Sequence, residues 1–286
     1  MDQGMDRKYS TIISSNLFVI AAGLIPAVFF LLFYFYPLSG IFFRSFAWTS
    51  EFADGPFLQL VASKRMLNIL WFTFWQAGVS TLLTLVFALP ASFVFAHYNF
   101  AGKRFYLTLA SIPFVLPAIV VAAAFEACFG TRQMLGFQVD QPLVMIFMAH
   151  IFYNFSVMLR IISSFWSGVQ TRFNETAATL GADAFQRFFH VILPILKPAI
   201  LAACSLVFIF CFSSFGIILI LGGPGYSTIE TEIYRQAAHM FNLPMASFLS
   251  LIQICFTFLL MLVYTRLTQY AVRFSPESTA KELARP

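Results

Sequence analysis

The chain has 286 residues, of which 60 % are hydrophobic and only 10 % are Asp, Glu, Lys or Arg, and its mean hydropathy is +0.82. A soluble domain carries roughly 25 % charged residues to cover its surface, so this composition excludes a water-dissolved enzyme or nucleic-acid-binding module. The net charge of +5 is therefore no nucleic-acid footprint; basic residues of membrane proteins gather in the loops kept on the cytoplasmic side.

A membrane helix needs about 20 apolar residues, and charge is expensive at bilayer depth. The charge-free runs predict six spans, in chain order near 17–43, 67–96, 105–127, 142–164, 199–221 and 246–269. In the second run Pro90 and the polar tail from His97 to Gly102 leave room for a single crossing. Residues 1–16 read as a cytoplasmic segment with no cleavable signal. Residues 17–270 form the membrane domain, and 271–286 are a polar cytoplasmic tail or the start of a linker. The expected fold class is all-α membrane. Six spans put both termini on one side. That side collects Arg7, Lys8, Lys103, Arg104, Arg160, Arg172, Arg187, Lys197, Arg266, Arg273, Lys281 and Arg285, against Arg44, Lys64, Arg65, Arg132 and Arg235 opposite. Both termini are expected in the cytoplasm of a cell bounded by this membrane.

Polar residues inside the spans are the candidate pathway: Gln76, Ser80, Thr81 and Thr84 in the second, His150 and Asn154 one turn apart in the fourth, Ser213 and Ser214 in the fifth, and Gln253 in the sixth. The competing reading is interhelical hydrogen bonding worth on average about 0.6 kcal/mol each. Gln76, His150, Asn154, Ser213 and Ser214 are the residues carried forward. Arg160 is expected to anchor the cytoplasmic connection or lipid headgroups, and Glu126 to sit at the outer interface. Cys128, Cys204, Cys211 and Cys255 read as small buried hydrophobes, without metal-ligand spacing or a structural disulfide.

Two connections carry information. On the outer side, Gly222-Gly223-Pro224-Gly225 is a turn, with Ser227-x-x-Glu230 as a capping box opening a short helix. On the cytoplasmic side, residues 165–198 are far longer than a helix connection needs. Asn174 can cap one short helix and Asp183 a second, with Gly181 breaking the chain between them. Phe185, Phe188, Phe189 and Ile192 lie on one face, and Pro194 and Pro198 end the segment. The element is amphipathic, suited to the headgroup layer or to a groove on a partner.

Its spacing resembles the signature loop of permease subunits of binding-protein-dependent ABC importers: EAA, three residues, Gly, nine residues, Ile-x-Leu-Pro. Here it reads Glu175-Thr176-Ala177, Gly181 and Val191-Ile192-Leu193-Pro194, departing at Thr176 and Val191. The resemblance implies the six-helix fold of type I importers, with this loop docking a cytoplasmic ATPase subunit through Glu175, Thr176, Ala177, Gly181, Val191, Leu193 and Pro194. It further implies a second permease half, homologous or identical, and an extracytoplasmic binding protein in a bacterial inner membrane. The turn residues Gly222, Gly223, Thr228, Glu230 and Glu232 are expected to meet that binding protein. Four stretches (Phe72–Pro90, Leu116–Ala122, Ala149–Arg160 and Cys211–Ala237) look most like the thiamine and ferric-iron subgroup, thiamine ranking first. Members of that subgroup are commonly double-length, and this chain resembles their N-terminal half. ATP and Mg are used by the partner; the AGKR around Lys103 lacks the upstream Gly and following Ser or Thr of a phosphate loop, and no cofactor is expected on this chain. A secondary transporter would call for inverted repeats and paired intramembrane charges, and a membrane enzyme for a nucleophile–base pair or ligand cluster. The sequence offers neither.

Overall fold

The computed structural model describes residues 22–41, 43, 63–130, 134, 136, 138–168, 177 and 179–273, and these are helical apart from their connections. In chain order the helices are α1 (Ala22–Ile41), α2 (Lys64–His97), α3 (Lys103–Val115), α4 (Ala118–Phe129), α5 (Pro142–Gly168), α6 (Ala184–Phe212), α7 (Phe215–Leu221), α8 (Ile229–Tyr234, extended by a π turn Arg235–His239) and α9 (Leu243–Arg273). Among the described residues, five are long and apolar enough to cross a bilayer, and six spans result if the bent pair α3–α4 counts as one.

The bundle is organised around α2. Its buried stripe, Thr73, Ala77, Ser80, Thr81, Thr84, Ala88 and Ser92, recurs every three or four residues and is built of small side chains. Small residues let helix backbones approach closely, which is what drives association where lipid removes the hydrophobic advantage. The hydroxyls do not spoil this face, because most bond their own helix. Thr73 donates to Ile69 O, Thr81 to Ala77 O, Thr84 to Ser80 O and Ser92 to Ala88 O, each at 2.7 Å. Against the stripe pack α5, through Met158, Leu159 and Ile162, and α6, through Leu196, Ala203 and Val207. α9 closes over α6. By contrast, α1 buries none of its side chains.

Two sequence expectations are corrected here. The third span is not one helix: α3 and α4 meet at 99°, around Leu116 and Pro117. A residue before proline is pushed to extended backbone, and Leu116 adopts ψ 145° there. The fifth span does not run over 199–221. It begins at Ala184, passes through Pro194 and Pro198, and stops at Phe212. Pro194 is tolerated because it lies in the first turn after a π turn (Phe188–Ile192), so neither proline ends the segment. Arg160 is exposed on α5. It donates to Ser111 Oγ (2.7 and 3.0 Å) and Leu107 O (3.0 Å), tying α3 to α5.

α7 crosses α4 at backbone contact. A Cβ on Gly216 would lie 2.9 Å from Ile119 N and 3.2 Å from its Cα. Gly216→Ala is therefore expected to force the two short helices apart and lower stability by about 1–3 kcal/mol. Gly78, inside α2, has nothing within 4 Å of the same position. Gly78→Ala should stabilise by about 0.5–1 kcal/mol through helix propensity. Thermal unfolding midpoints of the detergent-solubilised variants, moving in opposite directions, are the check.

Candidate functional site

Where α2, α5 and the end of α6 meet, the apolar core gives way to a buried polar seam. His150 on α5 is 1 % exposed, its Nδ1 lying 2.8 Å from Ser80 Oγ on α2 and its Nε2 2.8 Å from Ser214 Oγ. One turn along α5, Asn154 donates through Nδ2 to His150 O at 3.0 Å and to Cys211 Sγ at 3.4 Å. From α2, Gln76 donates through Nε2 to Cys211 O at 2.8 Å and to Thr73 O at 3.3 Å. Gln76, His150, Asn154 and Ser214, four of the five pathway candidates, thus converge on one seam. Gln76 Oε1 and Asn154 Oδ1 are sealed from solvent with no donor. A buried acceptor left this way costs about 1–3 kcal/mol.

Beside the seam the helix α6–α7 is interrupted at Ser213 and Ser214, both outside helical backbone (ψ 39° and 72°). The break between α3 and α4 faces it. Together they bound a cleft of about 320 Å³, with Phe114, Tyr153 and Phe210 as an aromatic wall and His150, Asn154, Ser213 and Ser214 as its polar groups. Phe114 packs on Tyr153 and Phe210 at centroid distances of 5.5 and 5.4 Å. Gln76 is not on the cleft surface; it lies behind Cys211.

At one end of the bundle sits the α8 elbow. Thr228, not Ser227, caps it, in a reciprocal box with Thr231, one residue out of register with the sequence expectation. Thr73 Oγ1 accepts from Ile229 N at 3.1 Å and so fastens the elbow to α2. Glu232 is buried. It is bridged by Arg235, receives Gln236 Nε2 at 2.7 Å, and faces Arg65 on α2 at 3.4 Å. Burial works to raise the Glu232 carboxyl, but these hydrogen bonds and charges outweigh it and hold the group below its ordinary value. Glu230 turns toward α9, where Gln253 Nε2 donates to it at 3.1 Å. Burial pushes its carboxyl up, opposed by Gln253, the Ser213 hydroxyl and the Phe215 backbone N–H. Of the elbow residues expected to meet a partner, Gly222, Thr228 and Glu232 are buried within this chain, while Gly223 is exposed and Glu230 half-buried.

At the opposite end lies the loop with the permease-like spacing. Glu175 and Thr176 fall outside the described residues. Gly181 has φ +86°, a left-handed backbone that favours glycine. Asp183 then caps α6 in a capping box with Gln186. Leu180 and Phe185 are strongly exposed, and Val191, Leu193 and Pro194 follow on the first turns of α6. Inward, Phe188 reaches Trp166 of α5, which also packs on Phe93 and His97 of α2.

Residues 88–273 match the family of binding-protein-dependent transport system inner membrane components. The chain is a member of that family. Among curated relatives, it is 30 % identical to the thiamine transport system permease protein ThiP of Haemophilus influenzae over 86 % of this chain and 46 % of the relative, and 28 % identical to ThiP of Escherichia coli over 71 % and 40 %. The chain thus spans about half the length of the curated relatives it matches. A probable sulfate transport system permease protein of Prototheca wickerhamii is 27 % identical over 52 % of this chain and 62 % of its own. The same fold occurs in a crystal structure of a bacterial alginate ABC transporter with its alginate-bound periplasmic protein (TM-score 0.67, 18 % identity, 93 % of this chain and 98 % of that one). It recurs in the inward-facing MetNI methionine transporter (TM-score 0.52, 17 % identity, 73 % and 99 %).

Several residues of this family member escaped the sequence reading. Cys211, taken as a small hydrophobe, receives hydrogen bonds from both buried amides. Tyr153 and Phe114 are indistinguishable in sequence from the many other aromatics. Thr73 could have been found by its place at the head of the small-residue stripe.

The two elbow carboxylates should respond oppositely to substitution. Glu232 is held low, so it contributes stability above its unfolded value and loses it as pH falls through the folded one. Glu232→Gln should cost about 1–3 kcal/mol at neutral pH, the loss of charge-assisted bonds, and converge on the parent in acid. Glu230 is held high, so the parent loses stability as pH rises. Glu230→Gln should be neutral or stabilising at neutral pH. Unfolding midpoints against pH for both variants test the signs.

Proposed function

We propose that this chain is the permease component of an ATP-driven importer, passing a solute delivered by an extracytoplasmic binding protein, with thiamine the best-supported cargo. The observation that carries the reading is the segment from Leu180 to Pro194. It presents exposed Leu180 and Phe185 at the chain's surface, while Phe188 seats on Trp166 at the junction of α2, α5 and α6. A docking surface wedged into three helices at once is what coupling requires: a partner's movement is passed to the bundle rather than absorbed in a loop.

Hydrolysis of ATP with Mg belongs to the partner ATPase in this reading, with Ala177, Gly181, Val191, Leu193 and Pro194, together with Glu175 and Thr176, at the contact. The seam and cleft are assigned to the solute pathway. A second permease half completes the pathway, since one six-helix chain supplies one wall, and the open apolar faces of α1 and α9 fit lipid and that second half. The elbow at Gly223 and Glu230 is assigned to the binding protein. The family match supports a bacterial inner membrane, and the distribution of basic residues supports both termini in the cytoplasm. Thiamine is supported by the names of the relatives and by the extent of the match; ferric iron, the other solute of the resembled subgroup, is the second reading.

Purification with the cognate ATPase tests the reading. Wild type should retain the ATPase through size-exclusion chromatography, and Gly181→Asp should lose it while eluting unchanged. Asp is among the residues that tolerate left-handed backbone, and nothing lies within 4 Å of a Cβ there, so the fold persists while a charge enters the docking surface. Equal retention by both forms, or by neither, contradicts the proposal.

A further inference from the structure

The inner half of the bundle is rich in cations and poor in acids. Lys103, Arg104, Arg160, Arg187, Lys197 and Arg266 lie there, and among the described residues Asp183 is the one carboxylate on that side, occupied in capping α6. Both ion pairs of the described residues are formed by Glu232, at the outer elbow. Arginine does not shed its proton, so a guanidinium on a membrane helix has to be answered by water or by an anion.

The guanidinium of Arg160 is held but not neutralised. Nε donates to Ser111 Oγ at 3.0 Å, and Nη2 to Ser111 Oγ and Leu107 O at 2.7 and 3.0 Å. Ser111 in turn donates its hydroxyl proton to Leu107 O at 2.8 Å. These partners carry no charge. They fix the plane of the fork and leave the two Nη1 N–H groups without an acceptor among the described residues. Arg104 lies on the same stripe of α3 as Leu107 and Ser111, exposed and with no side-chain partner among the described residues.

Depth places this pair at the headgroup boundary. About 20 residues of helix cross the hydrocarbon, so counting from Pro142 at the start of α5 puts the inner boundary near Ile161. Ser163, Ser164 and Ser167 follow directly. Tyr98 and Tyr106, exposed on either side of Lys103 and Arg104, are of the type that gathers at this level. α3 buries only Pro113 and leaves Phe105, Leu109 and Ile112 as an open apolar flank.

We propose that the inner rim of the α3–α5 groove binds the phosphate of an anionic phospholipid, with Arg160 bonding the phosphate oxygens and Arg104 supplying a second charge. Basic pockets between membrane helices on the cytoplasmic side suit such headgroups. The fork of Arg160 matches a phosphate in geometry as well as in charge. A zwitterionic headgroup brings its own cation into a site that already holds two, so the net charge of the lipid is what is selected. A free phosphate ion meets the same guanidinium but has no tail to lie along Phe105, Leu109 and Ile112. The site is separate from the solute cleft and independent of the cargo.

The test is thermal unfolding of the full detergent-solubilised chain, titrated with phosphatidylglycerol, with phosphatidylcholine of the same acyl chains, and with inorganic phosphate. A ligand that binds the folded state raises the midpoint. Wild type should reach half of its maximal shift with phosphatidylglycerol at a concentration about twentyfold or more below that for phosphatidylcholine. Inorganic phosphate at matched concentrations should give no shift. Arg160→Gln should abolish the preference between lipids, beyond any lowering of the midpoint from the lost tie to Ser111. Arg104→Gln, at an exposed position, should narrow it about fivefold, and it reads the same site if Arg160→Gln does not fold. Arg266→Gln, which removes an exposed cation of α9, should leave it unchanged. Equal response to the two lipids, a matching shift with inorganic phosphate, full preference in either groove variant, or equal loss in Arg266→Gln overturns the inference.

Discussion

Lipid offers no hydrogen bonds, so irregular backbone at membrane depth survives only where protein satisfies it. The interruption at Ser213 and Ser214 is such a place, and much of the site can be traced to how it is held. On one side His150 fixes Ser214 to α5 and, through its other nitrogen, to Ser80 on α2. On the other, Glu230 faces Ser213 and the first amide of α7, and is itself held by Gln253 of α9. Four helices therefore meet at one gap in the chain. The cleft is the space this gap leaves, and its aromatic wall is the price of spacing α3–α4 around it.

The bundle that presents the gap is assembled by economy of side chain rather than by bulk. α2 turns threonines, serines and alanines toward its neighbours and satisfies most hydroxyls on its own carbonyls, so few cross-helix hydrogen bonds are needed to bring α5 and α6 close. Of those that do cross, the bonds of Gln76 and Ser80 lie at the seam, and Ser92 Oγ reaches Leu159 O of α5 at 3.5 Å further along. A polar stripe that looks uniform along the helix is thus divided into a packing part and a chemically active part, according to whether each group finds its partner locally.

That division explains how far the sequence could be read. Charge-free runs located the apolar segments because exclusion of charge is a one-dimensional signal. Gly181 and Asp183 were legible because backbone sign and helix capping act within a turn. Pro113 and Pro117 were visible too, but the unbroken apolar run around them hid a 99° bend. At the fifth span the prolines suggested a stop where the π turn absorbed them, and the true interruption, at two serines, carried no strong local mark. His150 and Asn154 were found from their shared face. Cys211 was not, since its role depends on amides 57 and 135 residues away.

α6 joins the two regions of interest without a loop between them: Asp183 caps its first residue, and Ser213 follows its last. Twenty-nine helical residues extend about 43 Å, so a tilt of about 5° about one end carries the other through roughly 4 Å. That displacement is wider than a hydrogen bond and comparable to the width of an aromatic ring. A small rocking of this one rod is enough to part Ser214 from His150 and so to reshape the cleft beside it.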